Sequence, residues 1–314
     1  MPHKEIAVEV AKTYLKSVVP KLDTEKWLKI YYYTSSFSKN PRWFKPKSID
    51  DIPDAKNPYA NDTSVCSGYW PLSLTERLAL LMESYFYNPD YSPRFSYIGQ
   101  DIKVMCVRKR DNIEITMCVP FFSKDTPSRE IYFERKEVLY KSLYDLAINF
   151  VGDSYSIELF LNTQDEMVKK DPKSVGHYFV ISGSALDSGE EGLVGRGNRS
   201  RGIISSIRPN SLEAIWGKNP VYYVGEIYNY LADIIAKKIA EDFNCECSVF
   251  ISSKNGDPIS RPDNIFIETS KKTPKKDLIS IIDAELNSQN LTRKIIYNKP
   301  FIPIPGGGHG YSSF

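Results

Sequence analysis

Residues 101–122, DIKVMCVRKRDNIEITMCVPFF, decide the fold class. They read as two strands around a polar turn at Arg110 to Asn112, a hairpin and therefore an antiparallel pair. Upstream, PLSLTERLALLMESYF carries a capping box: Ser73 accepts from the backbone near Glu76, whose carboxylate reaches back. A helix with Leu78, Leu81 and Tyr85 on one face follows from it. Downstream, REIYFERKEVLYKSLYDLAINFV reads as a helix, and SIELFLNT and HYFVISGSA as strands. Further on, GEIYNYLADIIAKKIAEDF is a long amphipathic helix with Ile227, Leu231, Ile234, Ile235 and Ile239 apolar. CECSVFISS and NIFIET are strands, KKDLISIIDAELNS is a helix, and SLEAIWGKNP is a short helix ended by Gly217 and Pro220. At the N-terminus, Ile6, Val10 and Tyr14 repeat at helical spacing, and KWLKIYYYTSS is an aromatic-rich strand candidate. Helices and strands mix without strict alternation and hairpins recur. The expected class is α+β with mostly antiparallel sheets rather than a doubly wound fold.

The chain has 314 residues, 41% hydrophobic and 13% aromatic, enough for a substantial core in two or three subdomains. Its 41 basic and 39 acidic residues give a net charge of +2, which argues against a general polyanion-binding surface and hence against a dedicated nucleic-acid protein. The five cysteines are scattered without paired C-x-x-C spacing, so reduced, mostly buried thiols are expected. No signal peptide or membrane span is legible, and a cytoplasmic location is expected. Residues 37–60 hold four prolines and no periodicity, a long irregular connection, and the tail PFIPIPGGGHGYSSF reads as irregular.

Four stretches carry chemistry. EEGLVGRGNRSRG, residues 190–202, combines four glycines with Arg196, Arg199 and Arg201. Glycines let backbone approach a ligand closely and guanidinium groups suit phosphate oxygens, so this loop is either a phosphate site or an exposed arginine loop. It is neither a P-loop nor a dinucleotide turn. Lys218 in WGKNP follows it closely and can serve the same anion or stand solvated. Asp101 and Lys103 alternate along a strand and share a face, as members of one site or as a surface ion pair. Asn61, Asp62, Thr63 and Ser64 form a polar cluster suited to an amine, a ribose or turn capping. The three histidines do not cluster in sequence, and neither a zinc nor a Ser/His/Asp arrangement can be assembled.

These four stretches resemble, in order, signature segments of the archaeal-type S-adenosylmethionine synthetases (methionine adenosyltransferases). The segments are YANDTSVCSGYWPLSLTER (59–77), IGQDIKVM (98–105), GEEGLVGRGNRSRGII (189–204) and RPNSLEAIWGKNPVYYVGEIYN (208–229). The resemblance implies three similar α+β subdomains, pseudo-threefold, and a dimer with active sites between the sheets of two subunits. It implies ATP and methionine as substrates, with Mg²⁺ and K⁺. In that reaction the methionine sulfur displaces the whole triphosphate from C5′, and the triphosphate is then hydrolysed. Carried over by motif, Arg196 and Lys218 would clamp the polyphosphate, and Lys103 would stand near the leaving-group oxygen. Asp101 would support the ATP site, Asp62 would receive the methionine amine, and Glu190 takes a position normally aspartate. Asn61, Thr63, Arg199 and Asn219 join them as substrate-binding candidates.

The departures are definite. Glu190 and Glu191 replace an Asp-Asp pair, Tyr222 and Tyr223 replace Asn-His, and Glu226 replaces a lysine. A family G-x-G-H-P-D segment, whose histidine and aspartate serve sulfonium formation and metal binding, has no counterpart, so one subdomain is expected to be truncated. The corresponding division is residues 1–60, a remnant with a long loop; 61–185, an α+β subdomain; 186–270, the arginine loop, GKNP segment and long helix with its strands; and 271–314, a helix and tail. Three functions stay open: a synthetase subunit in a homo- or hetero-oligomer whose partner chain carries G-x-G-H-P-D, a paralogue with altered nucleotide chemistry, and a non-catalytic regulatory homologue of a full-length synthetase.

Overall fold

The computed structural model describes residues 2–18, 21–33, 59–87, 90–165, 176–181, 202–205, 207–211, 213, 221–287 and 291–298. The chain divides into two compact units. One comprises residues 1–34, 73–192 and 303–308; the other comprises residues 35–72, 193–302 and 309–314.

The first unit is built around the expected hairpin. Strands β2 (Lys103–Lys109) and β3 (Asn112–Cys118) pair antiparallel, with Arg110 in the left-handed region at the turn. β3 then pairs parallel with β5 (Ser156–Leu161). The connection is α3 (Arg129–Val151), capped by Ser128 through its bond from the Ile131 N–H, and a helix of that length returns the chain to the end from which β3 began. The expectation of antiparallel pairing therefore gives way here to a mixed sheet. β4 (Phe121–Phe122) and β6 (Phe179–Val180) make a second, short parallel pair. Strand alternation sends Ile113, Ile115 and Met117 of β3 and Ile157, Leu159 and Leu161 of β5 into one core. Helices α2 (Leu74–Ser84) and α3 add Leu78, Met82, Tyr132, Leu139 and Leu143 to that core.

The capping box of α2 forms as read: the Glu76 N–H donates to Ser73 Oγ at 3.2 Å, and the Ser73 N–H to Glu76 Oε2 at 2.7 Å. Its inward face is Leu78, Met82 and Tyr85, while Leu81 is only half-buried. The N-terminal helix α1 (His3–Val18) also forms, yet Ile6, Val10 and Tyr14 on its expected inward face are exposed. The strand expected over residues 26–36 does not form within 26–33, and residues 34–36 lie outside the described residues. Asp23 instead caps a turn, accepting the Glu25 and Lys26 N–H groups on Oδ1 while its carbonyl takes the Trp27 N–H. Trp27, Tyr31 and Tyr33 then stand exposed.

In the second unit β1 (Ser64–Trp70), β7 (Cys247–Ser253) and β8 (Asn264–Thr269) form an antiparallel sheet in the order β1-β7-β8. The long helix α4 (Val224–Phe243) lies on it, burying Ile227, Leu231, Ile235 and Ile239 against Cys66, Val249 and Ile251. Ile234 is half-buried. Gly68 is the closest point of this packing: a Cβ there would lie 2.3 Å from the Asp233 nitrogen and 2.4 Å from the Ala232 carbonyl carbon. Helices α5 (Lys275–Leu286) and α6 (Leu291–Asn298) complete the unit, the latter with no counterpart in the sequence reading. Among the described residues no helix is long and apolar enough to cross a membrane.

Candidate functional site

Asp101 and Lys103 do converge, with a third partner. Lys103 opens β2 opposite Cys118, and Asp101 sits two residues earlier in irregular backbone. The Gly99 N–H donates to the Pro120 carbonyl and the Phe121 N–H to the Tyr178 carbonyl, both at 2.9 Å, so three segments run side by side. Lys103 Nζ donates to Asp101 Oδ2 at 2.5 Å, and the Tyr178 hydroxyl donates to the same oxygen. Lys103 Nζ also reaches the Tyr178 hydroxyl oxygen at 3.4 Å and lies 5.2 Å from its ring centroid. The Lys103 side chain is 52% exposed and that of Asp101 23%, so the ammonium faces solvent with its counter-ion set behind it.

A buried polar network backs this cluster. Asp165 is fully buried and accepts on Oδ2 from the Tyr132 hydroxyl at 2.8 Å and from Lys136 Nζ at 2.6 Å. Asn162 donates to the Tyr132 hydroxyl and the Val119 carbonyl, and accepts the Val119 N–H at 2.7 Å. Burial pushes the Cys118 thiol up, against the pull of Lys103 and with the fields of Asp101 and Asp165 adding to the rise. Cys118 pairs with Lys103 across the β2–β3 ladder, and the Asn162 N–H donates to the carbonyl of Met117 beside it at 2.9 Å. The His177 ring lies tilted with its centroid 4.7 Å from that of Tyr132, and that of Phe179 lies 5.5 Å from it.

The NDTS cluster belongs to the second unit, where it joins the start of β1 to the start of α4. Tyr223 is the N-cap residue of α4 but makes no side-chain cap. Asn61 supplies it from afar, its Oδ1 accepting the Val224 N–H at 3.0 Å while its own N–H donates to the Tyr222 carbonyl. Thr63 Oγ1 accepts the Asn255 N–H at 3.0 Å. Both side chains are thus held by backbone. Asp62 takes the Thr63 N–H at 2.8 Å, is exposed, and is paired with no lysine or arginine among the described residues.

Beside it, Glu213 accepts from the Tyr223 hydroxyl at 2.8 Å and from the Ser64 hydroxyl. Gly225 leaves room for that pair, since a Cβ would fall 2.5 Å from the Tyr223 ring. Burial pushes the Tyr223 phenol up, with Glu213, Cys66 and Asp62 adding to the rise. Burial alone pushes the Glu226 carboxyl up to about 7. Tyr178 and Glu213 were not singled out by sequence reasoning. The first is marked only by its place in HYFVISGSA and the second by its place in RPNSLEA.

Glu190, Arg196, Arg199, Lys218 and Asn219 lie outside the described residues, so the arginine loop and the GKNP lysine receive no geometry. So does most of the helix read into SLEAIWGKNP. All five cysteines are free, with Cys66, Cys245 and Cys247 buried and Cys106 and Cys118 half-buried, as the thiol reading expects. Burial pushes the Cys66, Cys106 and Cys247 thiols up to about 12, which leaves them protonated and inert. Among the described residues no three His, Cys, Asp or Glu side chains group as a metal site. Asp101 in particular is committed to Lys103 and Tyr178.

The S-adenosylmethionine synthetase (AdoMet synthetase) family model matches residues 1–299. An uncharacterized protein of Streptococcus pyogenes serotype M3 is 36% identical over 314 residues, 96% of this chain and 74% of that protein. The probable S-adenosylmethionine synthase of Aquifex aeolicus is 32% identical with the same coverage. The S-adenosylmethionine synthase of Methanosphaera stadtmanae is 34% identical over 82% of this chain, which spans 61% of that protein. With the match running through both compact units, the chain belongs to the S-adenosylmethionine synthetase family.

Proposed function

We propose that the chain is a subunit of an S-adenosylmethionine-forming adenosyltransferase. It binds ATP through its triphosphate, and a G-x-G-H-P-D segment comes from another stretch of polypeptide. The methionine sulfur lone pair forms the bond to C5′ of ATP, the C5′–oxygen bond breaks, and its electron pair leaves with the triphosphate, which water then cleaves to pyrophosphate and phosphate. Negative charge gathers on the leaving oxygen. A fixed ammonium there stabilises the transition state more than the ground state.

The observation that carries this reading is Lys103, an exposed ammonium anchored from behind by Asp101 and Tyr178 in a member of this family. In the same reading Arg196, Arg199, Lys218 and Asn219 hold the remaining triphosphate oxygens, and Glu190 stands near the substrate junction. Asp62, with an exposed carboxylate, receives the methionine ammonium. Asn61 and Thr63 act through the backbone they hold. Among the described residues no three His, Cys, Asp or Glu side chains group together, and the metal-dependent part of the reaction is assigned to none of them. The threefold-related subdomains, one of them incomplete, and a homo- or hetero-oligomer with shared active sites belong to the same reading.

The test is product formation by the chain with its co-purifying partners, MgATP, K⁺ and methionine. S-adenosylmethionine, pyrophosphate and phosphate are expected in equal amounts. Lys103→Met is expected to lower the rate on the order of 100-fold, as for removal of a single transition-state donor. Absence of S-adenosylmethionine from every such preparation refutes the proposal.

A further inference from the structure

The lysine that the mechanism needs is not held by its carboxylate alone. Tyr178 donates its hydroxyl to the same Asp101 oxygen that Lys103 uses, offers its own oxygen to Lys103 at 3.4 Å, and lies with its ring 5.2 Å from the ammonium. Three contacts of different kinds thus meet on one phenol. The phenol itself is set on a rigid frame. Its carbonyl accepts the Phe121 N–H, and β6, which starts at the next residue, pairs with β4. Along an extended chain successive side chains point to opposite faces. His177 and Phe179, either side of it, both pack their rings on Tyr132, while Tyr178 meets Asp101 and Lys103. Tyr132 is in turn tied to buried Asp165 and Asn162.

We propose that Tyr178 is a positioning residue for Lys103. It holds the Asp101 carboxylate when the ammonium turns from it to an incoming polyphosphate, and returns the ammonium when the anion departs. A carboxylate sharing one oxygen between two donors can release either without being stripped of both. In the resting protein Lys103 is parked on Asp101. With triphosphate present it exchanges one anion for the other, and Tyr178 keeps Asp101 satisfied and aimed. The phenol never touches the reacting atoms. This inference rests on the reading of Lys103 as a triphosphate ligand, but its first prediction needs no ligand.

That prediction concerns amine labelling of the intact protein, scored by peptide mass spectrometry for Lys103 against exposed Lys109 on the same strand. Tyr178→Phe keeps the ring and removes both hydroxyl contacts. Because Asp101 is then stripped whenever the ammonium turns away, labelling of Lys103 is expected to slow about fivefold relative to Lys109, the size of one charge-assisted hydrogen bond partly replaced by water. The same slowing is expected of Tyr178→Leu, which also lacks the hydroxyl and serves if the Phe variant does not fold. Unchanged or faster Lys103 labelling in the folded variant overturns the proposal.

The second arm measures binding of tripolyphosphate to the assembled protein. Tyr178→Phe is expected to weaken it about fivefold, with no further loss when added to Lys103→Met. Additive losses in the double variant overturn the proposal, because a phenol acting elsewhere would weaken binding whether or not the lysine is present. If the unaltered protein binds no tripolyphosphate, the triphosphate reading of Lys103 falls, while the labelling result still decides the role of Tyr178.

Discussion

Gly68→Ala perturbs a close backbone approach between β1 and α4 in the second unit. Gly68 lies in β1 opposite Val249, and its backbone is not in the left-handed region, so glycine is needed there for space rather than for conformation. A Cβ would meet the Asp233 nitrogen at 2.3 Å, the Ala232 carbonyl carbon at 2.4 Å and the Ala232 oxygen at 2.7 Å, all of them backbone. Ordinary contact begins near 3.4 Å, so α4 must back away from the sheet by about 1 Å. A helix that buries Ile227, Leu231, Ile235 and Ile239 along one face cannot make that movement locally. Overpacking of this kind costs about 3 kcal/mol at the upper end of its usual range. Restricting the unfolded chain returns up to about 1 kcal/mol. The net loss is about 2 kcal/mol, which a urea m-value of about 2 kcal/mol per M turns into a midpoint lowered by about 1 M. The transition to follow is that of the second unit, since two units need not unfold together. Gly256→Ala is the internal comparison. At φ +90° with nothing within 4 Å of a new Cβ, it carries backbone strain and no clash, a loss of about 1 kcal/mol. If Gly68→Ala shifts the midpoint no more than Gly256→Ala does, the close approach of α4 to β1 is wrong.

Two further expectations follow from the start of α4. Asn61→Ala should cost about 1 kcal/mol in the unfolding of the second unit by removing the cap on the Val224 N–H, whereas Asn61→Asp should keep it. Loss of methionine binding with stability unchanged would instead make Asn61 a substrate contact. For Glu226 the sign runs opposite to that of a paired carboxylate. Its folded value of about 7 lies above the ordinary carboxyl value of 4.5, so the folded state binds the extra proton between those limits; the group costs nothing well below 4.5 and its full penalty above 7. Glu226→Gln should therefore gain on the order of 3 kcal/mol at pH 8 and nothing at pH 4. The transition to follow is again that of the second unit, and equal stability gains at both pH values would refute the assignment.

Local chemistry was the legible part of this chain. The Ser73 box and the Arg110 turn need only residues three or four apart, and both formed as read. The inward face of α4 was readable because a 20-residue helix on a sheet averages its pattern over many turns. Pairings made over long sequence distances were not. Whether β5 joins β3 parallel or antiparallel depends on where α3 delivers the chain, which periodicity cannot say. The strand pattern in Trp27, Tyr31 and Tyr33 was overruled by one aspartate capping a turn. At the site, Asp101 and Lys103 are two residues apart and were found, whereas Tyr178 is 75 residues from Lys103 and was not. Likewise the NDTS stretch was readable as polar, but not that Asn61 spends its side chain on a helix 163 residues away.

The substitutions around α4 change meaning once burial is considered. Glu226 stands where the family resemblance expects lysine, and read as a sequence this exchanges a cation for an anion near the proposed polyphosphate. In the folded chain the carboxyl is 6% exposed and holds its proton up to about pH 7. Burial works against the charged form there, so the exchange removes a cation without installing a full anion. Tyr223, in place of histidine, gives its hydroxyl to Glu213 and so neither adds nor repels charge. At the start of α4 the Val224 N–H is given to Asn61 and the Glu226 N–H to the Tyr223 carbonyl. On the proposed reading, the attraction for triphosphate falls to Lys103, Lys218 and the arginine-rich loop, and Glu226→Lys should strengthen tripolyphosphate binding only as far as that lysine can leave its buried position.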